Sequence, residues 1–465
     1  MYGLASADPL LHQFFHPDLS FSNLRGLLIP ALETLEMASA AVLFAIILGL
    51  LLGLMIGARL PGARLVYTAL ASFRAIPDLT LAILCVIVVG LGPAAGTLAL
   101  ALFYTAAVGK IFADLFASAD RAPIESLQST GANRLMVALY GLLPLRRQDL
   151  LTYGAYEFES AMRASIIVGA VGAGGIGTEL VSQINSVEYS KVSTLILILI
   201  LLVALVDGLG RLVRRQPKLL LIFLFCGVAA AWANRPQMFA ARHAMETFAT
   251  MWPPALPQEA FSKVPKLIGE TLEMAFGGTL LAMILALPLG AAAARNISPV
   301  YISFPVRRLL EALRAIPEVV WGLVLLGIAI FGKTSTGIVA LGIHSTGTLG
   351  KLYAESIENV PVEPVLAMTA TGASRIAVTG FAHMPLAFAP IAVHSLFRLE
   401  WNMRAATVVG MIGAGGIGEA LFNTQQLQFY NQTFAYVLIT WALIMIVDRA
   451  SGRLRSRWGI VQIDV

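Results

Sequence analysis

Long apolar runs broken by short polar stretches dominate this chain, and they recur in the same order in its two halves. In the first half they cover roughly residues 32–58, 73–92, 96–117, 151–175 and 192–211. In the second they cover roughly 269–294, 313–332, 336–356, 388–412 and 433–450. Met37–Ala58 and Met274–Ala294 contain no charged residue. As helices rising about 1.5 Å per residue, both are long enough to cross a hydrocarbon core of about 30 Å. A further apolar run, Leu219–Ala233, lies between the halves, bounded by Lys218 and Arg235. It is short for a span, about 22 Å at helical rise. The pattern predicts an all-α integral membrane protein with two five-helix repeats and one linking helix, about eleven transmembrane helices.

The repeat is literal. ETLEMA at Glu33–Ala38 returns at Glu270–Ala275, and RAIP at Arg74–Pro77 returns at Arg314–Pro317. Gly109–Lys110 returns at Gly350–Lys351, GAGGIG at Gly172–Gly177 returns at Gly413–Gly418, and Val206–Asp207 returns at Val447–Asp448. The offset is 237 at first, then 240, then 241. Its changes fall at Arg59–Ser72 and Gly90–Gly96, polar or Gly/Pro-rich stretches where a loop absorbs extra residues. Two similar halves point to a pseudo-two-fold machine with a pathway between them. The expected organisation is a first repeat over residues 1–215, a linking helix and outer-face segment over 216–266, and a second repeat over 267–465.

Composition agrees. Hydrophobic residues make up 58% of the chain and charged residues 13%, against about 25% charged in soluble domains. The mean hydropathy is +0.79. The net charge of +5 is concentrated beside the apolar runs, which reads as topology rather than nucleic-acid binding. Cys85 and Cys226 sit in apolar runs and read as packing residues. No basic stretch precedes an early apolar core, so no cleaved signal peptide is expected.

Basic residues fall at corresponding places in the halves. Arg59 and Arg64 match Arg295, Arg307 and Arg308, and Arg211, Arg214 and Arg215 match Arg449, Arg453, Arg455 and Arg457. The positive-inside rule puts these on the cytoplasmic side, with the N-terminus outside and the C-terminus inside. Directly joined five-helix repeats would be inverted, as in many secondary transporters. The linking run resets the direction, so parallel repeats are expected.

The third connection of each half carries the most informative motif. It reads ESLQSTGANRLMVALYGLLP over Glu125–Pro144 and LAMTATGASRIAVTGFAHMP over Leu366–Pro385. Gly131-Ala132 and Gly372-Ala373 hold the same place, with Pro144 and Pro385 thirteen residues after the Gly. A short amphipathic helix broken by Gly and ended near Pro suits a rigid lever between two proteins. The plainer reading is an amphipathic cytoplasmic loop. Leu366 stands where the first copy has Glu125, which makes the two levers unequal. GAGGIG also fits a dinucleotide fingerprint, but it ends an apolar run twice and has no βαβ context. Gly172, Gly174, Gly175 and Gly177, with Gly413, Gly415, Gly416 and Gly418, are instead expected to allow close packing or a sharp turn at the outer face.

Together these motifs resemble the phosphonate-type permease subunit of binding-protein-dependent ABC importers, over roughly residues 70–210 and 310–450. The third connection is similar to the EAA signature, which in that family docks on the ATPase. The resemblance implies a MetI-like permease fold and a tandem fusion of two units that completes the translocation pathway in one chain. It further implies two copies of a cytoplasmic ABC ATPase, which carry the ATP and Mg. A periplasmic or lipid-anchored phosphonate-type binding protein, a small phosphorus oxyanion as substrate and an inner-membrane location complete the picture. The chain has no GxxxxGK[ST] phosphate loop. A permease that breaks no bonds, with neither cofactor nor metal of its own, is therefore expected.

Glu159 and Arg163, and Glu400 and Arg404, are four apart and share helix faces. Each pair falls well inside the membrane, where charges are expensive and face a bundle interior or wet cavity. Mutual neutralisation is the first reading, and a pathway lining that attracts an anion is the sharper alternative. Arg74 with Asp78, and Arg314 with Glu318, read as further same-face pairs. His344-Ser345-Thr346 is set against Tyr104-Thr105-Ala106, with helix–helix hydrogen bonding first and substrate contact second. A secondary transporter driven by an ion gradient is the competing function class, while the absence of HExxH and GxSxG in either half weighs against an enzyme.

Overall fold

A computed structural model describes residues 16–186, 188–215, 225, 227–229, 241–328 and 331–456. Two compact units divide them. One holds the described residues up to Ala255 together with Leu427–Val437, and the other holds Leu256–Gln426 with the described part of Leu438–Gln462.

In the first unit the chain forms α1 (Leu28–Gly57), α2 (Ala63–Phe73), α3 (Asp78–Val89), α4 (Pro93–Ala117) and α5 (Arg121–Ser129). It continues with α6 (Leu143–Val168), α7 (Gly175–Asn185), α8 (Tyr189–Arg215) and α9 (Ala241–Met251). The second unit repeats the order as α10 (Gln258–Ala293), α11 (Val300–Ala315), α12 (Glu318–Ile328), α13 (Lys333–Glu358) and α14 (Val362–Ala370), then α15 (Met384–Val409) and α16 (Gly416–Gln426). The last described helix is α17 (Tyr430–Ser456). No strand occurs among the described residues.

Each unit is built on one close helix pair, α1 with α4 and α10 with α13. Small residues recur every fourth position along the contact, at Ala41, Ala45, Gly49, Gly53 and Gly57 and at Gly278, Ala282, Ala286 and Gly290. This spacing puts them on one face and lets the backbones approach. A Cβ on Gly53 would lie 2.8 Å from Phe112 Cβ, and one on Gly290 2.8 Å from Tyr353 Cβ. Bulky partners fill the groove that the small stripe leaves.

Among the described residues, six helices are long and apolar enough to cross a membrane, or up to eight if each bent pair is one span. Eleven were expected, and three features account for part of the difference. Leu219–Ala233 lies almost entirely outside the described residues. The segments that begin at RAIP are not straight spans: α2 and α3 meet at 93°, and α12 is an 11-residue helix. The residue before proline avoids the helical region, so Ile76-Pro77 and Ile316-Pro317 form corners, with Pro77 extended at ψ 143°. The same corners separate Arg74 from Asp78 and Arg314 from Glu318, which are therefore on different helices and not same-face pairs. Arg59–Ser72 is also less of a loop than its polarity implied, because α2 occupies most of it.

The repeat register is corrected by one residue at the fourth helix. Gly96 and Gly337 meet Met37 and Met274 and face Ala173 and Ala414 respectively, so the offset of 241 already holds at Gly96. Phe103 then matches His344, and Tyr104 matches Ser345.

Candidate functional site

Each third connection is an elbow. After α5, Thr130 leads into Gly131 at φ +86°, and after α14, Thr371 leads into Gly372 at φ +78°. This left-handed conformation is open to glycine at little cost. The chain re-enters a helix at once: Asn133 Oδ1 accepts from Met136 N–H at 2.9 Å, and Ser374 Oγ accepts from Ala377 N–H at 3.3 Å. Pro144 and Pro385 do not end these segments. Wide π-type turns at Val137–Leu142 and Thr379–His383 precede them, and the prolines sit in the first turn of α6 and α15. A proline there lacks an N–H that the widened turn does not need. The second arm of each elbow is therefore the start of the long membrane helix.

The elbows expose apolar side chains at matched positions. Leu135 and Tyr140 in the first copy, and Ile376 and Phe381 in the second, are on the surface, with Tyr140 at 75% and Phe381 at 77% exposure. Glu125 is exposed on α5, and Leu366 is exposed at its place on α14.

The glycine motifs make both a sharp turn and a close helix contact. At Gly172–Gly175 and Gly413–Gly416 the long helix breaks, with φ +91°, +86° and +73° at Gly172, Gly174 and Gly175 and +110°, +101° and +72° at Gly413, Gly415 and Gly416. A Cβ at Gly177 would collide with the carbonyl oxygen of Ile166, and one at Gly418 with that of Thr407, so the new helix folds back tightly onto the old one. What the sequence did not reveal is the role of ETLEMA. Glu33 Oε2 accepts from Gly175 N–H at 2.9 Å and Thr34 Oγ1 from Ile176 N–H at 2.9 Å. Glu270 Oε2 accepts from Gly416 N–H at 2.8 Å and Thr271 Oγ1 from Ile417 N–H at 3.0 Å. A distant Glu-Thr pair thus caps the first turn of α7 and of α16, satisfying donors that a helix start leaves open and complementing its positive dipole end. The identical recurrence of both motifs was the signal available beforehand.

The intramembrane arginines differ. Arg163 donates to Glu159 at 2.9 Å on its own helix, as the spacing implied. Arg404 instead donates to Asp448 of α17 at 2.5 Å, joining two helices. The expected Glu400–Arg404 pair gives way to this longer-range one because the i,i+4 rule says nothing about a neighbouring helix. Glu400 is buried.

His344 and Ser345 belong to a polar cluster in the second unit. His344 Nδ1 lies 2.9 Å from the Ile316 carbonyl and Nε2 lies 3.5 Å from Glu318. Ser345 Oγ donates to Asn402 Oδ1 at 3.0 Å and accepts from Arg398 Nε at 2.8 Å, while Asn402 Nδ2 donates to Thr279 Oγ1 at 2.9 Å. Arg398 and Asn402 of α15 and Thr279 of α10 are not legible as a group in the sequence, since isolated polar residues in an apolar run carry no spacing signature. Among the described residues no group of three His, Cys, Asp or Glu side chains is placed to hold a metal ion.

Comparison with known proteins matches the family described as "Binding-protein-dependent transport system inner membrane component" twice, over residues 45–218 and 286–459. The chain is 29% identical to the phosphate-import permease protein PhnE of Mycolicibacterium smegmatis, over 85% of this chain and 78% of that protein. It is 40% identical to the phosphite transport system permease protein PtxC of Stutzerimonas stutzeri, over 41% of this chain and 69% of that one. Among solved structures, a chain of the MetNI methionine ABC transporter aligns at 15% identity with a TM-score of 0.41, over 44% of this chain and 99% of that chain.

Proposed function

Since the chain belongs to the binding-protein-dependent transport system inner membrane component family and is the multi-pass permease of an ABC importer, we propose that it carries a phosphorus oxyanion into the cell. Phosphate, phosphite and phosphonate are the candidate cargoes; the names of its relatives favour this class. The chain is a membrane subunit and not an enzyme. Residues 1–215 and 267–465 act as two parallel permease repeats joined by 216–266, with the N-terminus outside and the C-terminus in the cytoplasm. The twin elbows are the coupling points for two copies of a cytoplasmic ABC ATPase, which bind ATP and Mg. A periplasmic or lipid-anchored binding protein delivers the cargo on the other side, near the glycine breaks. Arg163 is mainly neutralised by Glu159 on its own helix, and Arg404 mainly joins two helices through Asp448.

The observation that carries the coupling role is the matched exposure of Leu135 and Tyr140 and of Ile376 and Phe381. Apolar side chains held out on a glycine elbow are costly unless a partner covers them. In liposomes carrying the chain with its ATPase and binding protein, uptake of labelled phosphite or phosphonate is expected to require ATP. Uptake that persists without nucleotide overturns this reading in favour of an ion-driven carrier. The double substitution Tyr140→Asp and Phe381→Asp is expected to abolish co-purification of the ATPase from intact membranes.

A further inference from the structure

The two units keep many framework residues unchanged, and one of the buried places where they diverge reverses a charge. The Glu-Thr caps, the methionine–glycine contacts and the glycine elbows all recur. At the junction of the fourth and sixth helices they do not. Tyr104 OH donates to Ser160 Oγ at 3.1 Å in the first unit, and beside it Glu157 is buried, with Arg74 and Arg163 acting on it electrostatically. At the register established above, Ser345 replaces Tyr104 and Arg398 replaces Glu157. Arg398 is buried. A carboxylate has become a guanidinium, a change of two charges at one position.

Burial of charge in a membrane protein is expensive and marks substrate pathways or partner-satisfied structure. Structural polar contacts also differ between the units, as at Tyr353–Ser395 and Arg404–Asp448, but those changes do not put opposite charges at matched buried positions. A reversal of sign at matched buried positions requires a different reason, and an asymmetric anionic cargo supplies one. The second-unit cluster is built for oxygen ligands. Arg398 offers a planar fork of N–H donors suited to phosphorus oxyanions, and Ser345 and Asn402 restrict how that fork is held. Glu318, 3.5 Å from His344, offsets positive charge there and acts electrostatically on Arg398. Held charge with a nearby counter-charge binds an anion weakly enough to release it.

We propose that Arg398, positioned by Ser345 and Asn402, is a transient oxyanion site of the permease that takes a phosphate, phosphite or phosphonate group during transport. The proposal rests on the phosphorus-oxyanion reading of the cargo. Tyr104 and Glu157 at the matching place in the first unit form no such site, so one repeat alone carries it.

The test uses the full chain with its ATPase and binding protein in liposomes and measures ATP hydrolysed per phosphite moved. In Arg398→Gln this ratio is expected to rise roughly tenfold or more, as loss of a charged hydrogen bond to the moving anion implies. Arg398→Lys, which keeps the charge but not the fork, is expected to fall between Arg398→Gln and the unaltered chain. A merely structural defect lowers hydrolysis and uptake together and leaves the ratio alone. A ratio within about twofold of the unaltered chain therefore overturns the proposal. Should Arg398→Gln fail to assemble, the double variant Ser345→Ala and Asn402→Ala takes its place, with a rise of about threefold expected from a loosened fork and an unchanged ratio again overturning the site. If the unaltered complex moves neither phosphite, phosphate nor methylphosphonate, the cargo reading itself fails, and the proposal falls with it.

Discussion

Arg404 and Arg163 show how one residue at one repeat position finds two partners. Arg163 stays with Glu159 on α6, while Arg404 reaches Asp448 on α17 with side-chain exposures of 14% and 25%. Breaking such a pair from one side leaves a charge in a poor solvent. Arg404→Gln and Asp448→Asn are each expected to destabilise the purified complex by about 2–3 kcal/mol, below the full cost of breaking a deeply buried pair because both groups retain some water. The double variant is expected to lose clearly less than the sum, by thermal unfolding in a double-mutant cycle. Additive losses would show that the bridge contributes nothing. The sequence spacing identified Arg163's partner because i,i+4 is a property of a single helix. It missed Arg404's because Asp448 is 44 positions away, and only packing decides which carboxylate a guanidinium meets. His344 and Ser345 were likewise visible as polar residues in an apolar run, whereas Arg398 and Asn402 join them through helix neighbours that spacing does not encode.

The paired helices depend on their small faces. The stripe from Gly278 to Gly290 on α10 lets Tyr353 on α13 pack into the gap, and overpacking such a contact costs about 1–3 kcal/mol. Gly290→Leu is therefore expected to lower the unfolding temperature of the complex by several degrees. Gly269→Leu on the same helix, where nothing lies within 4 Å of the added carbon, is expected to change it little. Equal effects of the two would remove the packing argument. The existence of these helices was legible in their apolar runs, and the elbow glycines were legible from the twin motif. RAIP was misplaced inside a span because its hydrophobicity continues through a proline corner. Pro144 and Pro385 read as stops in the sequence, whereas π-type turns let the helix pass through them.

Over the whole molecule, the duplication made the fold class and the family readable from the chain. The count of spans was less readable, because bent pairs and the 11-residue α12 break the equation of one apolar run with one crossing. The proposed parallel arrangement of the repeats would put both elbows on one side of the membrane. Gly131→Cys and Gly372→Cys, each in a background lacking Cys85 and Cys226, are expected to react with a membrane-impermeant maleimide only from the cytoplasmic face. Labelling of the two from opposite faces would sink the parallel arrangement and the coupling role with it. The segment Leu219–Ala233, on which the direction of the second repeat depends, lies almost wholly outside the described residues, so this chemistry addresses it directly.

The absence of a break between each elbow and the glycine motif has a mechanical consequence. From Arg134 to Ala170, and from Arg375 to Ile412, helical turns run on from elbow to glycine break, roughly 55 Å of rod at helical rise. Its two compliant joints lie only at the ends, at Gly131 and Gly174 and at Gly372 and Gly415. Torque applied at one joint is delivered to the other with little dissipated between, so the ATPase proposed to grip the elbows would swing the far tip without remodelling the bundle along the way.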